Sequence, residues 1–230
     1  MCGRYSASYP PSLLAETFSA TVVDEPPPPS WNVAPTDPVA AVVTRDTGRE
    51  VRTLRWGLIP SWATDRRVAS KMINARAETV ATKPAFRAAL VRRRCLVPAD
   101  GWYEWRAASG STPKQPFFIT ARDGGPVAFA GLYEVWRDPA TEELVRTCAV
   151  VTTAASAELS YLHERMPVVL RADACGVWLD RAVEDAEQLR GLLVPRDGFA
   201  AYPVGTDVNS VRNNGPSLVT PLPAEGDGLF

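Results

Sequence analysis

Reactive side chains are few in this chain, and the first stands at its start. Removal of Met1 would leave Cys2 carrying a primary amine and a thiol on one residue. Such a 1,2-aminothiol condenses with an aldehyde to an imine, which the thiol then closes into a five-membered thiazolidine ring. An α-amine has a pKa of about 8, so part of it is neutral and nucleophilic near neutrality. The plainer reading of Cys2 is a small residue that lets Met1 be removed. Cys95, Cys148 and Cys175 lie in apolar contexts (Cys95-Leu96-Val97, Thr147-Cys148-Ala149, Ala174-Cys175-Gly176) and read as buried core thiols.

Three further groups could do proton chemistry. In Gly101-Trp102-Tyr103-Glu104-Trp105 a carboxylate sits between aromatics on a predicted strand. The two-residue period puts Trp102 and Glu104 on one face and Tyr103 and Trp105 on the other. A carboxylate on an aromatic-lined face has its pKa raised by desolvation and can act as acid or base near neutral pH; a solvated strand glutamate is the alternative. Asn74-Ala75-Arg76-Ala77-Glu78 gathers an amide, a guanidinium and a carboxylate, and by itself reads as a helix start with a capping pattern. His163-Glu164-Arg165-Met166-Pro167 holds the only histidine, beside an arginine and before a proline expected to end a helix. A lone histidine is more often a satisfied structural residue than a catalyst, a balance that the adjacent Arg165 and the absence of any second histidine shift modestly.

These groups must be held by surrounding elements. The spacing of Leu13, Leu14 and Phe18 predicts a short helix over Ser12–Ser19 behind a serine cap. Strands are predicted over Val39–Thr44 and Glu50–Trp56, joined by an Asp46-Thr47-Gly48 turn. An amphipathic helix follows over Lys83–Arg93, with Phe86, Leu90 and Val91 inward. Further strands are expected over Cys95–Val97, Gly101–Trp105, Phe117–Thr120, Val127–Glu134 and Val145–Thr152, then acidic helices around Ala157–Leu162 and Val183–Leu193. The tail from Phe199 to Pro223 reads as extended and turn-rich. Strands and helices do not alternate, so an α+β fold is expected: a curved, barrel-like mixed β-sheet core with flanking helices, in one domain over residues 1–230. The only low-complexity segment, Pro26-Pro27-Pro28-Pro29, is too short to separate domains.

Composition narrows the function classes. The chain has 230 residues, 46% of them hydrophobic and 22% charged, with net charge −1, the profile of an ordinary globular protein. The cysteines lie tens of residues apart, unlike the close pairs of zinc ribbons and fingers, so no metal site is expected. No cofactor is implied. No stretch resembles a signal peptide or a membrane span, and a cytoplasmic protein with reduced thiols is expected. The near-neutral total hides an asymmetry: residues 1–122 hold 17 lysines and arginines against 10 acidic residues, and residues 123–230 hold 8 against 16. An anionic ligand should therefore meet the first half, where only three of the basic residues, Lys71, Lys83 and Lys114, are lysines. Arginine suits bidentate phosphate contact, although a codon preference for arginine explains the bias equally well. Five of the seven tryptophans, Trp31, Trp56, Trp62, Trp102 and Trp105, share that half. Aromatic platforms beside arginines hold unpaired bases, whereas core packing is the default role for most tryptophans.

The order of these motifs along the chain says more than any one of them. Met1-Cys2-Gly3-Arg4-Tyr5, Trp31-Asn32-Val33-Ala34-Pro35-Thr36, Trp56-Gly57-Leu58-Ile59-Pro60-Ser61-Trp62, Asn74-Ala75-Arg76-Ala77-Glu78-Thr79, Arg94-Cys95-Leu96-Val97-Pro98-Ala99-Asp100-Gly101-Trp102-Tyr103-Glu104-Trp105, His163-Glu164-Arg165-Met166-Pro167-Val168 and Val208-Asn209-Ser210-Val211 together resemble the SOS-response-associated peptidase (SRAP) family over nearly the whole chain. The resemblance implies recognition of abasic sites in single-stranded DNA and a covalent crosslink through the N-terminal cysteine that shields the lesion. It also implies self-removal of Met1, an abasic-site lyase activity through the imine, and reversal of the crosslink. By the same resemblance Cys2 is the nucleophile, and Asn74, Glu104 and His163 are the other active-site residues. Arg4, Arg76 and Arg165 match or neighbour phosphate-holding positions, and Trp62 and Trp105 are the expected aromatic contacts to DNA. The expected partner is thus abasic single-stranded DNA, met by a monomer that joins the nucleoid when bound. The sequence departs from several relatives at Lys83-Pro84-Ala85-Phe86, where Ala85 is too small to wedge against bases.

Two other readings stand beside this one. Cys2, His163 and Asn74 supply the residue types of a thiol peptidase acting in trans. The arginines and tryptophans alone would serve a non-covalent single-stranded nucleic-acid-binding module, which would treat intact and abasic strands alike.

Overall fold

The computed structural model describes residues 2–107 and 114–223. Fourteen strands are described: β1 (Tyr5–Ala7), β2 (Ala20–Val22), β3 (Ser30–Val33), β4 (Pro38–Arg45), β5 (Gly48–Trp56), β6 (Asn74–Arg76), β7 (Arg94–Ala99), β8 (Gly101–Arg106), β9 (Gln115–Ala121), β10 (Val127–Arg137), β11 (Leu144–Ala154), β12 (Arg165–Pro167), β13 (Val169–Leu170) and β14 (Phe199–Pro203). Four α-helices join them: α1 (Pro11–Phe18), α2 (Arg87–Arg92), α3 (Ala172–Leu179) and α4 (Ala186–Gly191). Among the described residues no helix is long and apolar enough to cross a membrane.

A barrel forms because one long sheet closes on itself. Antiparallel ladders link β11 to β10, β10 to β7, β7 to β4 and β4 to β5, and β5 then pairs in parallel with β11 at Thr147↔Arg55 and Cys148↔Trp56. Five strands thus make a closed ring with a single parallel seam. Along its walls the side chains alternate: Val39, Ala41, Val43, Cys95, Val97, Cys148 and Val150 point to one buried cluster, while Val42, Leu96, Ala149 and Val151 point to the other. The second cluster is covered by helices through Leu14, Phe18, Leu90, Cys175, Trp178 and Leu189. The first is closed by a second sheet, ordered β14-β9-β8-β1-β3, whose Tyr5, Trp102, Ile119 and Phe199 complete it. The expected α+β class and barrel-like core are what the structure contains.

Local chemistry explains the elements, including those that differ from expectation. In the β4–β5 hairpin Arg45 pairs with Gly48, leaving Asp46-Thr47 as a two-residue loop, and Gly48, the first residue after that loop, takes a positive φ of 118° that glycine adopts without strain. Helix α1 starts on Pro11, whose fixed φ suits a first helical position, rather than behind a serine cap; Pro10 precedes it with no capping side chain. Helix α2 is shorter than predicted, because Pro84 interrupts the preceding turns. Ala157–Leu162 is not a helix. Its hydrogen bonds mix three- and four-residue spans from Ser156 and Leu159, and these successive turns still bury Leu159 and Leu162. Nor does a helix end at Pro167, since Arg165–Pro167 is strand β12 on β11. The Asn74 block likewise forms strand β6, parallel to β11, and no helix start. The second acidic helix exists only as Ala186–Gly191, capped by the Asp185 carboxylate on the Glu187 and Gln188 amides.

Candidate functional site

Cys2 is placed by the strand that follows it. Strand β1 pairs with β8 at Tyr5↔Trp102, and the Arg4 carbonyl accepts from the Tyr103 amide at 3.0 Å. Carried two residues further toward the terminus, this register sets Gly3 opposite Glu104, and the Glu104 carboxyl acts electrostatically on the neighbouring Cys2 thiol. Asp100 fixes the other end of β1, accepting from the Ser8 amide and the Ser6 hydroxyl. On the opposite side, strand β6 lies against β11 in the register Val150↔Asn74, and the Asn74 amide donates to the Cys2 carbonyl at 2.8 Å. Cys2 is therefore held by its backbone from two sheets, with its side chain fully buried among the barrel's inner residues.

Burial sets the electrostatics of this corner. Glu104 is only 4% exposed, and desolvation pushes its carboxyl up to about 7, so it is divided between acid and base at neutral pH. Desolvation also raises the Cys2 thiol well above its ordinary value, and the nearby Glu104 charge adds to the shift. His163 follows the turns of 157–162; its Nδ1 accepts from the Arg165 amide at 2.9 Å, which assigns the neutral ring's proton to Nε2. Partial burial lowers its pKa, favouring the neutral form. Among the described residues no cluster of three histidine, cysteine or acidic side chains could hold a metal ion.

The arginines line the approach in different states. The Arg4 guanidinium donates to Asn32 Oδ1 at 2.7 Å and the Val208 carbonyl at 2.8 Å, and lies 5.8 Å from the Trp105 ring centroid. Trp105 in turn donates to Asn209 Oδ1 at 2.6 Å. Asn32 and Asn209 thus buttress an arginine and an indole at the site's edge; both stand in the motif blocks, yet an uncharged amide leaves no local signal of such a role. Arg76 is exposed at the end of β6, opposite Thr152. Arg165 reaches the same place from β12, donating to the Thr152 carbonyl at 2.8 Å, but its outer face is held by both oxygens of Glu78 at 3.0 and 3.1 Å. Any phosphate meeting Arg165 must share it with this carboxylate, which the arginine holds below its usual pKa. Trp62 is 63% exposed on the turn after β5, so its ring is available for contact and not consumed by packing. Ala85 and Phe86 are both half-buried.

The structure therefore brings Cys2, Asn74, Glu104, Arg4 and Trp105 into one neighbourhood, and Arg76 and Arg165 into another around Thr152. Met1 lies outside the described residues. Comparison with known proteins agrees with this architecture. The chain is 39% identical over 226 residues to the abasic site processing protein YoqW of Bacillus subtilis, covering 95% of this chain and 99% of that one. It is 33% identical to the abasic site processing protein YedK of Escherichia coli, covering 96% of this chain and all of that one. A crystal structure of a protein from Bacteroides thetaiotaomicron superposes with a TM-score of 0.84 at 28% identity, over 96% of this chain and all of the other. The family model for SOS response associated peptidase (SRAP) matches residues 1–211, and the chain belongs to that family.

Proposed function

We propose that this protein processes abasic sites in DNA by capturing the lesion covalently on Cys2, once Met1 has been removed by the protein itself. The observation that carries the reading is the pairing of a backbone-anchored Cys2 with a buried carboxyl balanced near neutrality. The ring-opened abasic sugar is an aldehyde, and an aminothiol is its matching trap. His163 Nε2 faces the role of assisting opening of the furanose at O4′. The Cys2 amine adds to C1′, and loss of water, helped by protonated Glu104, leaves the imine. The thiol sulfur then adds to the imine carbon as its proton passes to nitrogen through Glu104, which closes the thiazolidine. Asn74 keeps the Cys2 backbone still throughout. Hydrolysis of the ring reverses the adduct, and elimination from the imine stage is the route to a lyase activity. Arg4, Arg76 and Arg165, with Trp62 and Trp105, would hold a single strand with its bases unstacked.

The state of the thiol argues for this order and against a peptidase acting in trans. A thiol peptidase starts from a thiolate, whereas burial and Glu104 both favour the neutral Cys2 thiol. A reaction begun by the amine has no such need. Incubation with an abasic single strand, followed by a denaturing gel and intact mass measurement, tests the proposal. Native protein is expected to lose Met1 and to gain the mass of the oligonucleotide. Cys2→Ala is expected to give no stable adduct; an undiminished band would refute the reading. Turnover of added peptides would favour the peptidase, and equal binding of intact and abasic strands with no adduct would favour the non-covalent module.

A further inference from the structure

One pair beside this corner is used by none of the steps above. Tyr161 is a large aromatic residue, 51% exposed, at the end of the turns that lead into His163. The Arg106 guanidinium lies 5.6 Å from its ring centroid. Arg106 is two residues beyond Glu104 on β8 and so shares its face of the strand. The pair therefore joins the two elements that carry Glu104 and His163, on the solvent side of both. Arg106 is exposed, and among the described residues no carboxylate lies within ion-pair distance of it. Lys114, just before the Gln115 that pairs with Arg106, acts electrostatically on His163, which places a second cation at the same rim. An aromatic face backed by a guanidinium and flanked by positive charge is the chemistry that receives a flat, unpaired base and the phosphate beside it.

We propose that Tyr161 and Arg106 form a stacking platform for the one nucleobase adjacent to the captured lesion. The inference rests on the reading that Cys2 engages a single strand at an abasic residue, and it adds a subsite that selects strands retaining a base at that neighbour. The platform is exposed, so Tyr161 can be changed without opening the core, and Tyr161→Phe keeps the ring.

Equilibrium binding by fluorescence anisotropy tests it, using single strands that carry a tetrahydrofuran residue, a lesion mimic with no aldehyde, between two ordinary bases. Matching strands carry a second baseless residue on the 5′ or the 3′ side. Tyr161→Ala is expected to bind the ordinary strand roughly 5- to 100-fold more weakly, the range of one lost base stack, while Tyr161→Phe stays close to native. The loss should vanish on one of the two strands lacking a neighbouring base. Arg106→Ala should lower the slope of log affinity against log salt by about one contact's worth. The proposal is overturned if Tyr161→Ala binds like native protein, or if its loss is the same on all three strands. A separate arm with authentic abasic DNA distinguishes the two readings. Base-dependent binding through Tyr161 without any adduct would sink the Cys2 chemistry and leave the platform, and an adduct with no Tyr161 dependence would do the reverse.

Discussion

Two cysteines in the same barrel interior are equally hidden and differently equipped. Cys2 and Cys148 are both 0% exposed and belong to one buried cluster. Burial alone pushes the Cys148 thiol up to about 12, in the middle of strand β11. Cys2 is raised by burial too, but its surroundings include the Glu104 carboxyl, and its carbonyl takes the Asn74 amide. Thiol acidity therefore does not distinguish the reactive corner from the inert wall. On the proposed reading, what distinguishes it is the chain-terminal amine that Met1 removal would leave, with the Glu104 carboxyl beside it.

The contrast is broken most directly by separating amine from thiol at position 2. Cys2→Ser keeps the amine and exchanges sulfur for a poorer ring-closing oxygen. We expect the heat-stable adduct to fall below detection on a denaturing gel, while borohydride still traps an imine. If both products disappear together, the thiol starts the reaction and the comparison with Cys148 fails.

The carboxyl gives the next largest effect. Glu104→Gln should leave strand binding intact and slow adduct formation by about 100- to 1,000-fold in a time course, within the usual range for removing a proton-transfer group. The same variant carries a stability signature with a definite sign. Because the folded-state value of about 7 lies above the ordinary 4.5, the protonated carboxyl favours the fold below pH 4.5, and this contribution disappears as pH rises through 7. Native protein should therefore lose up to about 3 kcal/mol relative to Glu104→Gln between pH 4.5 and pH 8, read from denaturant melts. A constant difference across that range would mean that Glu104 titrates as an ordinary surface acid.

How much of this was legible in the sequence depends on the range of the signal. The β4–β5 hairpin was readable because a local turn and alternating apolar residues specify it. The parallel seam between β5 and β11 was not, since pairing Arg55 with Thr147 leaves no mark on either segment. Helix α3 was missed because Ala174, Cys175, Val177, Trp178 and Leu179 form an almost unbroken apolar run that conceals a helical period. At the site, residue types pointed to Cys2, Glu104 and His163, and alternation put Glu104 on the face it shares with Trp102 without deciding whether that face is buried. The approach of Cys2 to Glu104, the Glu78 clasp on Arg165 and the amide supports of Arg4 and Trp105 all depend on contacts between distant segments. The helix readings at Asn74 and His163 failed for a related reason. Short polar segments took strand pairing from β11, whose long edge offered backbone partners that local capping patterns cannot outweigh.

The smallest expected effect probes the inert side of the contrast. Cys148→Ala removes one sulfur from the packed wall where β11 meets β10 and, across the seam, β5. Neighbouring space there is tight: a methyl group added at Gly131, on the adjoining strand, would stand 2.7 Å from the Cys95 sulfur. Such a wall relaxes little around a vacancy, so the substitution should cost about 1–2 kcal/mol of stability, seen as a lower denaturant midpoint with an unchanged slope. Adduct formation at temperatures well below the melting transition should proceed at the native rate, because burial alone raises the Cys148 thiol, whereas Glu104 acts on Cys2. A slowed reaction in a fully folded Cys148→Ala protein would extend the reactive corner across the barrel and erase the distinction between its two cysteines.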